Sequence, residues 1–174
     1  MIPEWFNAEG RIGEHMKEMD FMQGRIVAVC SSPEKGGRKK NIGQGVLIEG
    51  FGLEGDGHGG DWHRQVSLLA MESIASMQAK GLDVKPGDFA ENLTTEGLEL
   101  FTLPVGTRLK IGDDVLLEVS QIGKVCHTRC AIYYQAGDCV MPKEGIFAVV
   151  LKGGPVRVGD EILVLPPAAE ETLA

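Results

Sequence analysis

The sequence predicts a mostly β domain, a small barrel or sandwich with a few short helices, on three observations. Segments of alternating or apolar residues recur at close spacing, the pattern of short strands rather than long helices. Glycine and proline are abundant, at 24 and 8 of 174 residues, and supply the turns that many short strands need. Helical patterning is confined to two stretches, residues 14–22 and 72–80. With 43% hydrophobic residues the chain can bury one sizeable core, and neither an internal repeat nor a linker divides it.

Residues 1–23 form an N-terminal extension that carries Trp5, Phe6, Ile12, Met16, Met19 and Phe21 among charges. It reads as an amphipathic helix packed on the domain or on a second subunit, or as a loose tail. Residues 24–31 (GRIVAVCS) predict a strand ending in Ser-Ser-Pro, with Cys30 packed in its apolar part. The loop 33–41 (PEKGGRKKN) is the most basic patch; Lys35, Arg38, Lys39 and Lys40 around Gly36-Gly37 suit either a phosphate grip or a solvated loop.

Residues 44–52 predict a further strand, followed by LEGDGHGGDWH at 53–63. So many glycines beside two histidines and two aspartates indicate backbone bent closely around something, although the spacing fits neither a P-loop nor a dinucleotide fingerprint. A strand follows at 65–70 and a short helix at 72–80, closed by Gly81. In KPGDFAENLTT (85–95), Asn92 and Thr94 sit at a strand end, where they would bond a ligand or cap a turn. Residues 103–111 and 115–121 predict a hairpin across Gly112-Asp113-Asp114. Strands are expected at 146–151 and 161–165 with a turn at 156–160 between them, and residues 167–174 form an acidic, Ala-rich tail expected to be disordered.

The chemistry concentrates between residues 123 and 147, where Cys126, Cys130 and Cys139 lie with Lys124, His127 and Arg129. A thiol reacts as its thiolate, and neighbouring cations lower its pKa from about 8.5 toward neutrality. Packing of these cysteines as small hydrophobes is one alternative. A zinc or iron–sulfur site on Cys126, Cys130 and Cys139 is another, although the paired C-x-x-C spacing of a zinc ribbon is missing.

The net charge of −8 argues against a general nucleic-acid binder but leaves room for a small anion in a local basic pocket. No apolar run is long enough to span a bilayer and no signal peptide is visible, so the clustered cysteines read as reduced thiols in a cytoplasm.

Taken together, SSPEKGGRKK, LEGDGHGGDWHRQVSLL, KPGDFAENLT, LPVGTRLKIG, EVSQIGKVCH and GGPVRVGDEI resemble the MOSC domain family, named for the C-terminal part of molybdenum cofactor sulfurases. These segments follow the family's order across residues 24–166. The chain is similar to the small standalone members, since no pyridoxal-phosphate aminotransferase domain precedes these segments. The resemblance implies a distorted β-barrel and a role with the molybdenum cofactor (molybdopterin) or with a sulfur donor protein. An enzymatic member would be sulfurtransferase-like or a molybdenum-cofactor-dependent oxidoreductase. The family's cysteine follows the strand ending in Val-Ser-Gln, which here is Cys126, carrier of a persulfide or ligand to molybdenum. On the same pattern Lys35 meets the cofactor phosphate, Asn92 and Thr94 the pterin, and His58, His63 and Arg64 lie beside it. Reductase-type members usually carry Pro or Arg before the cysteine, where this chain has Val125, and many members lack Cys130 and Cys139.

Overall fold

The computed structural model describes residues 22–34, 37–123 and 141–165. Among these residues seven strands close a barrel: β1 (Gln23–Ser31), β5 (Val66–Ala70), β6 (Leu93–Glu96), β7 (Arg108–Ile111), β8 (Val115–Ile122), β9 (Ile146–Lys152) and β11 (Glu161–Leu165). Around the barrel the order is β1, β11, β7, β8, β9, β5, β6 and back to β1. Every pairing is antiparallel except β5 with β6, which run parallel and are joined through α1 (Met71–Gln78). A short strand β2 (Lys40–Asn41) pairs antiparallel with the end of β1, and β10 (Gly154–Arg157), β3 (Gln44–Ile48) and β4 (Gly52–Leu53) form a second, small sheet.

Period-two alternation builds the interior. In β8, Val115, Leu117 and Val119 are buried while the residues between them are part-exposed. These side chains join Ile26, Leu68, Leu93, Leu109, Ile146 and Ile162 in one core, so closure removes the sheet edges as well as burying apolar surface. A second core forms outside the barrel. There Ile74 and Met77 of α1 pack with Leu69, Val84, Phe89, Met141 and Phe147. The helix stops where Gly81 takes a φ of +91° and the Leu82 N–H reaches back to the Met77 carbonyl.

The mostly β barrel matches the expected class, with α1 and the single turn α2 (Met141–Glu144) as its α-helices among the described residues. Three local expectations need correction. The strand expected over 44–52 ends at Ile48, and the chain turns through Gly50 to pair β4 back on β3. The strand of the 103–111 hairpin arm begins only at Arg108, because residues 103–107 form turns that bury Leu103 and end at Thr107. The turn expected at 156–160 occupies 158–160, since Val156 and Arg157 belong to β10 and pair with Gly45 and Gln44. Pro155 disguised that strand, and it is tolerated because β10 lies at the edge of its small sheet. No helix among the described residues is long and apolar enough to cross a membrane.

Candidate functional site

The end of β1, the basic loop and the glycine-rich loop meet at one carboxylate. Asp56 Oδ1 accepts from the Ser32 N–H at 3.0 Å, the Ser31 hydroxyl at 3.4 Å and Lys39 Nζ at 2.8 Å. Its Oδ2 accepts from the His58 N–H at 3.0 Å. The Lys39 and Asp56 side chains are each only 1% exposed, so this is a buried ion pair in which each charge depends on the other. Burial opposes ionisation of Asp56, but the Lys39 ammonium and the Ser32 and His58 N–H groups outweigh it and hold the carboxyl below its ordinary pKa. Lys39 is therefore not a solvated loop charge.

Glycine permits the close approach. The Gly57 N–H donates to the Ser32 carbonyl at 2.8 Å, and a Cβ at Gly57 would stand 2.5 Å from the Pro33 carbonyl oxygen. The loop that leads to Lys35 is thereby seated on the residue before His58.

The far half of the glycine-rich loop forms a cationic and aromatic cluster. The Arg64 guanidinium lies 4.6 Å from the Trp62 ring centroid and 5.4 Å from that of Phe147, a residue of β9. Its Nε is buried and has no hydrogen-bond partner among the described residues. The His58 ring is 5.1 Å from Trp62 and lies nearly parallel to Phe147 at 6.2 Å, while Trp62 Nε1 donates to the His58 carbonyl at 3.0 Å. His63 is exposed, and its Nε2 lies 2.7 Å from Gln121 Oε1. Gln121 Nε2 donates to the Gly123 carbonyl at 2.7 Å. Gln121 Oε1 therefore faces His63 as an acceptor, with His63 Nε2 as the donor of this contact. The Ser120 hydroxyl also donates to the His63 carbonyl, so the end of β8 is tied to this loop at two points.

Asn92 and Thr94 belong to a separate, fully buried layer behind the basic loop. Asn92 Oδ1 accepts from the Ser67 N–H and hydroxyl, and its Nδ2 donates to the Cys30 carbonyl at 3.1 Å, locking β1, β5 and the start of β6. The Thr94 hydroxyl donates to Glu91 Oε2 at 2.7 Å, as does the Gly87 N–H at 3.0 Å. Glu91 is 0% exposed and its Oε1 has no hydrogen-bond partner among the described residues. Burial pushes its pKa up against those two hydrogen bonds, favouring the neutral acid. Cys30 lies beside them, and burial, with the Glu91 carboxyl next in effect, pushes its thiol up to about 12.

Of the residues singled out from sequence, the fold gathers His58, His63 and Arg64 into one cluster and sets Asn92 and Thr94 in the layer behind. Lys35 and the cysteines Cys126, Cys130 and Cys139 lie outside the described residues. Among the described residues no three His, Cys, Asp or Glu side chains gather as a metal site. Sequence reasoning missed Asp56, Gln121, Trp62 and Phe147, and placed Lys39 in the basic patch without its buried pairing to Asp56. Asp56 had a signal, as an acid in a glycine-rich turn whose side chain can bond nearby N–H groups. Lys39 had none that set it apart from Lys40.

Residues 54–163 match the MOSC domain family, a span that contains the glycine-rich loop, the buried layer and the end of β8. No curated protein matches the chain. Among solved structures, the YuaD protein from Bacillus subtilis is 19% identical with a TM-score of 0.69, covering 82% of this chain and 96% of its own. YiiM from Geobacillus stearothermophilus is 19% identical with a TM-score of 0.61, covering 82% of this chain and 75% of its own. YiiM from Escherichia coli is 22% identical with a TM-score of 0.60, covering 83% and 70%. These likenesses speak for the fold, while the family is associated with molybdenum-cofactor binding and sulfur-related function. On the family match, borne by well over half its residues, and on its seven-stranded barrel, the chain belongs to the MOSC domain family.

Proposed function

We propose that the domain binds an anionic, phosphate-bearing cofactor of the molybdopterin type and works through the thiolate of Cys126, as a molybdenum ligand or as a carrier of persulfide sulfur. One observation carries this reading: three segments of different sequence position converge. The stretch before Lys35 is seated on Gly57, the loop from His58 to Arg64 folds beside it, and Gln121 ties that loop to Gly123, three residues before Cys126.

The residues present fit such a group. Arg64 is held by two aromatic rings rather than by a carboxylate, and its unpartnered Nε leaves donor capacity for an anion. Lys35, His58, His63 and Arg64 would hold the phosphate end. Asn92 and Thr94 act from behind, since their polar atoms are engaged with Ser67, Cys30 and Glu91 and keep the wall of the site rigid. When bound, the group supplies a redox-active metal, for which the soft sulfur of Cys126 is a suitable ligand. Lys124, His127 and Arg129 favour the thiolate of Cys126 by charge. In the carrier role that thiolate attacks the outer sulfur of a donor persulfide. The donor S–S bond breaks, the donor leaves as its own thiolate, and Cys126 retains the transferred sulfur.

Elemental and pterin analysis of freshly purified protein tests the reading, together with Cys126→Ser. Molybdenum with pterin fluorescence, or a cyanide-releasable sulfur, is expected in the wild type and lost in Cys126→Ser with the fold intact. Stoichiometric zinc or iron, released alike by Cys126→Ser, Cys130→Ser and Cys139→Ser with a fall in Tm, would overturn it.

A further inference from the structure

We infer that Asp56 is a positioning residue for anion binding: it closes the neck of the basic loop and fixes that loop against the glycine-rich loop. The inference rests on the reading that these two loops receive a phosphate-type anion. Ser32, which follows β1, and Lys39, which precedes β2, are the two ends of the basic loop, and both bond to Asp56 Oδ1. The other oxygen of the same carboxylate takes the His58 N–H, so one side chain sets the neck of one loop and the register of the other.

The surroundings admit little slack. Lys39 is anchored a second time through its N–H, which donates to the Gly87 carbonyl at 2.7 Å, and a Cβ at Gly87 would collide with the Lys39 carbonyl. Gly57 is packed against Pro33 in the same way on the other side of the neck. Ser32 and His58 supply backbone N–H donors, so no exchange of side chains elsewhere replaces the acceptor they share.

There is a consequence for which cations meet the ligand. Lys39 spends its charge inside the protein on Asp56, whereas Arg38 and Lys40, on either side of it, are exposed. The neck therefore separates a structural cation from its two neighbours, which remain on the solvent side. Asp56 itself touches no ligand in this arrangement and acts through the placement of the loops.

The test uses the full chain, pyrophosphate as the probe, and amide hydrogen exchange as a second readout. Asp56→Ala is compared with Met77→Ala, a change in the second core at a residue of α1 that belongs to neither loop, which lowers Tm. The expected result is that Asp56→Ala deprotects the amides of Ser32 and His58 while the barrel amides stay protected. Its pyrophosphate affinity falls roughly tenfold, the scale on which loss of a positioning partner acts, and Met77→Ala binds as the wild type does. Unchanged affinity in Asp56→Ala would overturn the positioning role alone. Equal losses in Asp56→Ala and Met77→Ala would overturn it too, by making it a matter of stability. A wild type that does not bind pyrophosphate would remove the anion reading of the loops, and the positioning role with it.

Discussion

Where the proposed reactive sulfur is Cys126, the setting of Cys30 is against such a role. Cys30 is fully buried, and burial with the nearby Glu91 carboxyl pushes its pKa up to about 12, so it remains a thiol at neutral pH. Limited alkylation at neutral pH followed by peptide mapping should label Cys126 first and Cys30 only on unfolding. Labelling of Cys30 ahead of Cys126 would remove the basis for Cys126 as the reactive sulfur. Glu91 gives a pH signature of its own. Its folded pKa lies above the unfolded value, so its contribution to stability is fully present below that unfolded value and is lost as pH rises through the folded one. Glu91→Gln keeps an acceptor for Gly87 and Thr94 but does not titrate. The variant and wild type should differ by less than about 1 kcal/mol near pH 4. The wild type should then lose ground by at most roughly 1.4 kcal/mol per pH unit as pH rises. Urea unfolding across that range checks the slope, and parallel curves would show that Glu91 is ionised in the fold.

Loops and strands divide by what each depends on. Gly87 and Gly106 have nearly the same φ, +94° and +98°, yet a Cβ at Gly87 meets the Lys39 backbone whereas one at Gly106 meets open space. Gly106→Ala should therefore cost only the left-handed strain of about 1 kcal/mol. Gly87→Ala should cost more than about 2 kcal/mol, because backbone must also move. Equal midpoints in urea would mean that the neck of the basic loop yields freely. The same division governs what the sequence makes legible. Alternation in GRIVAVCS and VLLEVSQ, and the Gly112-Asp113-Asp114 turn, are local signals, and β1, β8 and the turn that joins β7 to β8 follow them closely. The glycine-rich loop also announces itself by composition. Burial of Lys39 does not, because it depends on an acid 17 residues away, nor does the His63–Gln121 contact across 58 residues. Such pairs are set by the tertiary fold, and a sequence read in windows carries no trace of them.

The closed barrel explains why the parts of the site come from distant stretches of chain. Parallel pairing of β5 with β6 requires a crossover, and the helix and loop of that crossover carry Gly87 and Glu91 under the basic loop. The loop after β4 supplies Asp56, His58 and Arg64, and the end of β8 supplies Gln121. The seam lies elsewhere: β1 pairs with β11, Gln23 opposite Leu163, and the Val164 N–H donates to the Met22 carbonyl at 3.0 Å. The first and last described strands are thus neighbours, although they are the most separated in sequence. Circular permutation follows as an engineering property. In a variant reduced to residues 22–165, a short flexible link from Leu165 to Met22, with new termini opened in the exposed turn at Asp113 and Asp114, preserves the neighbours of every described strand. For a ligand at the loops, the order in which the strands are synthesised is immaterial; what it requires is that the ring be closed.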